Sequence, residues 1–294
     1  MKINFHTVVS EETESYFRYM FASTKNMSKN PENILFNVYH MSENVDKDFL
    51  DFCIKNKIKI YAEDCNIRGS RGHAYKLSIA IKNFVENEIN VISDVDVAIC
   101  DMFFDEWLVK TLEEYDIVGT RYEEIGGPCV GNVKKQTYKG LPNTVWCAFT
   151  NRKDFKYMEF SADNGSNFKI ETEEHSQITN LPIGYTWLKD CSWEIAKYIF
   201  DNKYKTYAFY KSNPYDDKSP QGFSSSVITR ESVIKIGENE IKSIEEYQKH
   251  DGSSFLVHQR SARKLLFKEN IKSKSFYNAY EDYIKKIKGE YDKS

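Results

Sequence analysis

The chain has 294 residues, of which 40% are hydrophobic, 15% aromatic and 29% charged, and its formal net charge is −3. This composition is that of a globular protein with its own core, and it excludes disordered, collagenous and coiled-coil classes. No apolar run approaches the roughly 18 residues that span a bilayer, and the opening segment MKINFHTVVS lacks the features of a signal peptide. A protein that wraps a polyanion is usually basic, so nucleic acid is not the expected partner, although a local basic patch is compatible with it.

The first part of the chain alternates between strand and helix patterns. Apolar runs predict strands at 3–8, 34–39, 58–61, 90–93 and 117–119. Helical spacing of apolar residues predicts helices after the capping residue Ser10, at 45–54, at 77–85 and around 107–112. Strands that alternate with helices predict a mostly parallel, doubly wound sheet.

The pattern changes from about residue 122, where glycines and prolines punctuate a long loop. Further strands are predicted at 144–149 and 207–210, a helix at 191–200, a polar loop at 211–226 and a basic, tyrosine-bearing helix after 275. This half is predicted to elaborate the first sheet.

The six cysteines include no CxxC pair and are predicted to be reduced and mostly buried, which indicates a cytosolic protein without a zinc site. They are Cys53, Cys65, Cys100, Cys129, Cys147 and Cys191.

The sharpest chemical signal is Asp94-Val95-Asp96, which follows a nearly continuous apolar strand. Alternation along an extended strand places the two carboxylates on the same side, and open α/β sheets bind ligands off the carboxyl ends of their strands. Two such carboxylates repel each other unless they share a cation, and a hard divalent ion would satisfy them. A solvated strand end is the alternative. We predict a divalent metal site, followed by a helix.

A basic, glycine-bearing segment precedes that strand by one helix. Its two glycines let the backbone approach a ligand, and Arg68, Arg71 and Lys76 can pair with phosphate oxygens. His73 is expected at the start of the following helix, where free N–H groups attract anions. Basic glycine loops are also common on protein surfaces, so the position of this segment indicates a phosphate-binding loop more strongly than its composition does.

Together the two features resemble the metal-dependent glycosyltransferases of the GT-A fold, in which a basic loop and helix precede a strand that bears an acidic DxD motif. The resemblance covers residues 1 to about 120. It implies an α/β fold of GT-A type, with a Rossmann-like, mostly parallel central sheet flanked by helices, an elaborated carboxyl-terminal half and a terminal helix. It also implies a nucleotide-sugar-binding half at 1–122, an acceptor-binding and catalytic half at 123–270 and a basic, aromatic helix at 271–294.

The resemblance further implies roles for individual residues. Asp94 matches the first aspartate of the motif, expected near the ribose and the metal, and Asp96 the second, expected to ligate Mn²⁺ or Mg²⁺. In many GT-A enzymes a histidine near the carboxyl terminus is the third protein ligand, which implies this role for His258 at the end of the apolar run Phe255-Leu-Val. An isolated histidine is more often structural. Donor and diphosphate contacts are implied for Val8, Arg68, Arg71, His73, Lys76, Asp94, Arg260 and Arg263.

A later aspartate at the start of a helix often serves such enzymes as general base, and Asp190 occupies that place. It departs from the family's common Glu-Asp form because Lys189 precedes it, and it can equally be a plain helix cap. Glu194, one turn later, is the rival base. Trp187 and Trp193 are candidates to stack on an acceptor sugar, with core packing as the alternative, which is favoured for Trp193.

The predicted activity is transfer of a sugar from a nucleotide-diphosphate sugar, with UDP-sugars favoured, to the hydroxyl of a glycan or another acceptor, with inversion if Asp190 is the base. One alternative is a sugar-phosphate nucleotidyltransferase, but such enzymes carry a glycine- and arginine-rich loop after the first strand, where this chain reads Val8-Val-Ser-Glu-Glu. Another is a non-catalytic carbohydrate-binding relic of the GT-A fold, which the intact set of Asp94, Asp96 and His258 disfavours. The chain is predicted to be cytoplasmic and without a transmembrane segment.

Overall fold

A computed structural model describes residues 1–67, 69–121, 140–150, 155, 158, 167–169, 172–173, 186–188, 193–211, 233–236, 239–242 and 244–259. The helices in this part of the chain are α1 (Glu14–Met27), α2 (Lys47–Lys55), α3 (Gly69–Lys82), α4 (Phe104–Glu114) and α5 (Trp193–Asn202). The strands up to residue 149 are β1 (Ile3–Val9), β2 (Ile34–His40), β3 (Lys59–Ala62), β4 (Ile89–Ser93), β5 (Val97–Ile99), β6 (Ile117–Arg121) and β7 (Pro142–Phe149). The later strands are β8 (Asn167–Lys169), β9 (Thr186–Leu188), β10 (Thr206–Lys211), β11 (Val233–Ile236), β12 (Asn239–Lys242), β13 (Ile244–Gln248) and β14 (Ser254–Gln259).

Ten of these strands form one mixed sheet in the order β3-β2-β1-β4-β7-β6-β10-β13-β14-β5. The first four are parallel to one another, and we call them the parallel flank. The remaining six form the mixed flank, in which β7, β13 and β5 run against the other strands. Most strands of the sheet therefore share one direction, and helices pack against it. The predicted α/β fold with a mostly parallel central sheet flanked by helices is confirmed.

The parallel flank is built around β1 and β2, whose side chains are buried almost throughout. Helix α1 follows a short 3₁₀ turn in which the Thr13 hydroxyl accepts the Ser10 N–H at 2.9 Å. Its predicted apolar stripe is buried, and the ring of Phe17 lies edge-on to Phe36 and Phe49, with centroids 5.9 and 5.7 Å apart. Helix α1 covers this part of the sheet because residues three and four apart share one helical face.

The mixed flank has an aromatic core that joins four elements. Phe209 on β10 and Phe255 on β14 stack with ring centroids 4.2 Å apart. Trp146 on β7 and Trp107 on α4 lie 5.0 and 5.1 Å from Phe255. Rings of this size bury large apolar areas, so β14 is packed firmly into the sheet although it comes late in the chain.

Two local predictions for the region of the site are wrong. The element after the aspartates is the short strand β5, and α4 begins only at Phe104. Strand β5 pairs with β14, and such a non-local pairing leaves no local signal in three residues. The basic segment is also not a loop after Arg68, because α3 already begins at Gly69.

Gly72 explains how α3 begins so early. A Cβ atom at this position would lie 2.1 Å from the Ile67 carbonyl oxygen and 2.7 Å from Met41 Cε. The first turns of α3 therefore pack directly on the segment that follows β3, which only glycine permits. This glycine serves helix packing, whereas the sequence predicted that it lets the backbone approach a ligand.

The described cysteines, Cys53, Cys65, Cys100 and Cys147, are free thiols, and all but Cys65 are buried. Within the described ranges, no helix combines the length and the apolar character needed to cross a membrane. Of the loop predicted at 211–226, Lys211 is the last residue of β10 and the rest lies outside the described residues. The carboxyl-terminal helix and the predicted boundaries at 122 and 270 also lie outside them. The division into halves and the cytoplasmic location stay predictions.

Candidate functional site

The two aspartates lie in the tight turn that joins β4 to β5. All five residues of β4 are buried, and so is Val95 between the two carboxylates. The Asp94 N–H donates to the Val145 carbonyl on β7 at 2.9 Å, which holds the start of the turn against the sheet. The side chains of Asp94 and Asp96 are 22% and 15% exposed. A turn, and not the predicted extended strand end, brings the carboxylates to one side.

His258 joins these carboxylates from the other end of the sheet. On β14 it lies opposite Val97, and its Nε2 is 3.4 Å from Asp96 Oδ1. One ligand atom each from Asp94, Asp96 and His258 lie within 4.8 Å of one another. The structure thus brings together the three residues that the sequence predicted as metal ligands.

A second histidine, His73, lies beside Asp94. His73 on α3 has its Nε2 3.6 Å from Asp94 Oδ1, and its side chain is 28% exposed. Each aspartate therefore has an imidazole nearby, one from a helix and one from a strand. The predicted diphosphate contact of His73 stays a prediction, and the contact that the structure gives this side chain is with a predicted metal ligand.

The three clustered residues fit a divalent cation. Two carboxylates and an imidazole are common ligands of first-row divalent metals. Two ligand atoms of one ion, each bonded at about 2.1 Å, are about 3 Å apart, and the 3.4 Å between His258 and Asp96 is close to that separation. A bound cation would also relieve the repulsion between the two carboxylates.

Tyr16 is a neighbour of this cluster that the sequence did not single out. It lies on α1 and is 2% exposed. Burial and, to a smaller extent, the negative charge of Asp96 together raise the pKa of Tyr16 to about 12. The phenol is therefore neutral at physiological pH. Its position in the apolar stripe of α1 gave no signal of a polar role.

Three other residues that were predicted to contact the nucleotide-sugar donor lie on or beside α3. Arg71 is exposed on the first turns of this helix. Lys76 is only 1% exposed, and its Nζ donates to the Glu63 carbonyl at 2.7 Å and lies 3.7 Å from the Glu63 carboxylate. Val8 is half-buried and packs against the cluster that includes α3 residues. The described contacts of Lys76 are thus with the segment after β3 and not with the aspartates.

For the remaining predicted site residues, the described part of the chain gives no position relative to the aspartates. Arg68, Asp190, Arg260 and Arg263 lie outside the described residues. Trp187 is on β9, in register with Phe168 of β8. Trp193 and Glu194 begin α5. The catalytic and acceptor-binding roles of these residues stay predictions.

Comparisons with known proteins give a general likeness of fold. No protein-family model matches the sequence, and no curated protein matches it. S. aureus TarS 1–349 is similar at 12% identity and a TM-score of 0.40, over 65% of this chain and 60% of that chain. The mannosyltransferase PcManGT from Pyrobaculum calidifontis, solved with GDP-Man and Mn²⁺, is similar at 12% identity and a TM-score of 0.44, over 73% of this chain and 55% of that chain. A cytidylyltransferase from Leptospira borgpetersenii is similar at 14% identity and a TM-score of 0.39, over 74% and 79% of the two chains.

The chain therefore spans about three fifths of TarS 1–349 and about half of PcManGT. Glycosyltransferases are among the solved structures to which this fold is similar, and a cytidylyltransferase is among them as well. Likenesses at 12–14% identity and TM-scores of 0.39–0.44 concern the architecture alone. Any activity has to be argued from the site itself.

Proposed function

We propose that this chain is a glycosyltransferase that uses a nucleotide-diphosphate sugar, with Asp94, Asp96 and His258 holding Mn²⁺ or Mg²⁺ on the diphosphate. The observation that carries the proposal is the convergence of these three residues from two distant segments within 4.8 Å. The cluster lies where β4 ends, and open α/β sheets bind their ligands at the carboxyl ends of strands. The imidazole favours Mn²⁺ over Mg²⁺, which prefers oxygen ligands and water.

The start of α3 supports a phosphate group beside the cluster. The first turn of this helix has no acidic residue, and the amino-terminal ends of helices attract anions. Arg71 is exposed on this turn, and His73 lies next to Asp94. A basic helix end therefore adjoins an acidic turn, which is the charge pattern that a metal-bound diphosphate requires.

In the proposed reaction, the chain's own residues bind and orient the donor while an acceptor hydroxyl attacks the sugar. When bound, the divalent ion would neutralise the charge that develops on the leaving diphosphate. Asp190 is proposed to take the acceptor proton, with Glu194 as the rival base, and the product is then inverted. Trp187 and Trp193 are proposed acceptor contacts. The donor is proposed to be a UDP-sugar and the acceptor a glycan or another hydroxyl compound.

A sugar-phosphate nucleotidyltransferase is the competing activity, and the turn after β1 disfavours it. This turn carries Glu11 and Glu12, and Glu14 begins α1. Acidic side chains therefore stand where nucleotidyltransferases carry a glycine- and arginine-rich loop, and they cannot pair with triphosphate oxygens as arginines do. The activities separate in an assay, because only the nucleotidyltransferase releases pyrophosphate from a triphosphate and a sugar phosphate.

Calorimetric titration of UDP-, GDP- and other nucleotide sugars, with and without Mn²⁺, tests the proposal. We expect one nucleotide class to bind in the presence of Mn²⁺ and to lose its binding in excess EDTA. Full nucleotide-sugar binding and turnover in EDTA contradict the metal site. Release of pyrophosphate from a nucleoside triphosphate and a sugar phosphate favours the competing activity.

The choice of base is tested separately. Asp190→Asn should lower kcat strongly and leave the donor Kd nearly unchanged, because a general base acts only on the acceptor proton. If Glu194→Gln has this effect instead, the base is Glu194. The anomeric configuration of the product, determined by proton NMR, establishes whether the reaction inverts.

A further inference from the structure

The β-hairpin of β13 and β14, residues 244–259, carries the third residue of the candidate metal site. His258 lies near the end of β14, opposite Val97 on β5, and β5 continues directly from the turn that holds the aspartates. In the described part of the chain, the hairpin has two register pairs with β10 and three with β5. The position of His258 relative to Asp96 therefore depends on how firmly β14 is held against β5.

An ion pair closes the far end of the β5–β14 ladder. Lys249 Nζ lies 3.0 Å from Asp101 Oδ1, and the two side chains are 12% and 14% exposed. The ammonium group also lies 5.4 Å from the ring centroid of Trp107 on α4. Beside it, the Cys100 N–H donates to the Phe255 carbonyl at 2.8 Å. The ion pair thus joins the turn of the hairpin to the segment that follows β5.

A second ion pair on the mixed flank provides a contrast. Lys205 Nζ lies 3.1 Å from Glu114 Oε1, but these side chains are 56% and 66% exposed. Exposed pairs contribute little, because water screens them and both side chains lose entropy. In a nearly buried pair the attraction is stronger, and removing one partner leaves an uncompensated charge. Of these two pairs, only Lys249–Asp101 can hold the hairpin in a fixed register.

We propose that Lys249 and Asp101 are positioning residues for the metal site, because their ion pair holds β14 in register with β5 and thereby places His258 beside Asp96. The proposal rests on the proposed divalent-metal site. Among the described residues, the clustered metal-ligand candidates are Asp94, Asp96 and His258 and do not include Asp101, so the pair acts through the ladder and not by contact with an ion. Because a coupling between two sites acts equally in both directions, bound metal must also stabilise the end of the hairpin that carries Lys249.

The affinity for Mn²⁺, measured on the full chain by electron paramagnetic resonance of the free ion, tests the proposal. We expect Lys249→Met to weaken Mn²⁺ binding about tenfold, within the usual range of coupling between sites. Lys249→Arg keeps the charge and can stack on Trp107, so its affinity should stay within about threefold of the wild type.

Two control variants separate positioning from general effects. Lys205→Met removes the exposed ion pair and should leave Mn²⁺ affinity unchanged. Phe49→Leu reduces packing in α2 on the parallel flank, where it lowers the unfolding temperature without altering the hairpin. Its Mn²⁺ affinity should match the wild type. An equal loss of affinity in Phe49→Leu overturns the proposal, because affinity would then follow global stability.

Lys249→Met with an Mn²⁺ affinity within about twofold of the wild type also overturns the proposal. Hydrogen exchange of the wild type tests it even if that variant does not fold. Saturating Mn²⁺ should slow exchange at 97–101 and 249–259 and leave 34–40 unchanged. No slowing at 249–254 overturns it. If the wild type binds no Mn²⁺, the proposed metal site itself fails, whereas wild-type binding with an unaffected Lys249→Met refutes the positioning role alone.

Discussion

The two flanks of the sheet each hold a histidine among polar groups, and they hold it differently. On the parallel flank, His6 is fully buried, and its ring nitrogens lie 3.0 Å from the Tyr39 hydroxyl and 3.1 Å from Asn90 Oδ1. Burial lowers the pKa of His6 to about 4, so the ring is neutral. On the mixed flank, His258 lies 3.4 Å from the carboxylate of Asp96.

The difference lies in the net charge of each cluster. The network around His6 contains neutral groups that satisfy one another, with the Val85 N–H and carbonyl also bonded to Asn90. It therefore needs no partner from outside and serves the fold. The cluster around His258 contains two carboxylates that repel each other. A charged cluster of this kind is suited to binding a cation, and it is kept at the cost of local repulsion.

The largest expected effect is loss of metal binding in Asp96→Asn. Removing a direct ligand should weaken Mn²⁺ binding about 100- to 1,000-fold, or about 3–4 kcal/mol, since removing an outer partner of a ligand alone costs 10- to 100-fold. The unfolding temperature should be unchanged or higher, because carboxylate repulsion is relieved. Calorimetry and thermal melting check this, with the exposed Asp48→Asn on α2 as control. A wild-type Mn²⁺ affinity in Asp96→Asn refutes the site.

The next effect is a pH dependence of stability from the parallel flank. The pKa of His6 is about 4 in the folded chain and 6.5 in the reference state, so the unfolded chain binds the proton first as pH falls. The stabilisation that comes from keeping His6 neutral in the folded chain is fully present above pH 6.5 and is lost as pH falls to about 4. The free energy of unfolding should fall by about 3 kcal/mol over this range.

Urea denaturation between pH 4 and 7 measures this contribution. The free energy of unfolding should fall less steeply with decreasing pH in His6→Gln than in the wild type. Equal slopes for the two proteins would show that His6 is not held neutral by the fold.

A smaller effect is expected for Gly72→Ala, near the start of α3. Helix propensity alone favours Gly72→Ala by about 1 kcal/mol, but the new Cβ would lie 2.1 Å from the Ile67 carbonyl oxygen. We expect a net destabilisation of about 1–3 kcal/mol, together with weaker Mn²⁺ binding, because His73 moves relative to Asp94. Denaturation curves measure the stability, with the exposed Lys82→Ala on the same helix as control. A stabilised Gly72→Ala would show that this packing is loose.

The smallest effect is expected for Lys205→Met on the exposed side of the mixed flank. Its ion pair with Glu114 is solvated, so the free energy of unfolding should change by about 0.5 kcal/mol or less. Chemical denaturation at low and high salt measures the change. A loss above about 1 kcal/mol would mean that exposed charges stabilise this flank more than such pairs usually do.

Most helices and strands of the first 121 residues follow from local patterns, and β5 is an exception. The stripe of Tyr16, Phe17, Met20 and Phe21 predicts α1, and the nearly continuous apolar segment at 90–93 predicts a strand covered on both faces, as β4 is. These patterns are readable because helical and extended chains have different periods. The two aspartates that follow β4 were likewise recognisable, because two neighbouring carboxylates repel each other unless they share a cation.

Only the tertiary structure decided which groups surround those aspartates. β5 exists because β14, far along the chain, pairs with it, and that pairing brings His258 to Asp96. Tyr16 approaches Asp96, and His73 approaches Asp94, through packing of α1 and α3 on the sheet. Sequence alone determined the residue types and the local elements, since these depend on neighbours in the chain. The composition of the cluster depended on contacts between distant segments, which are set by the packing of the whole sheet.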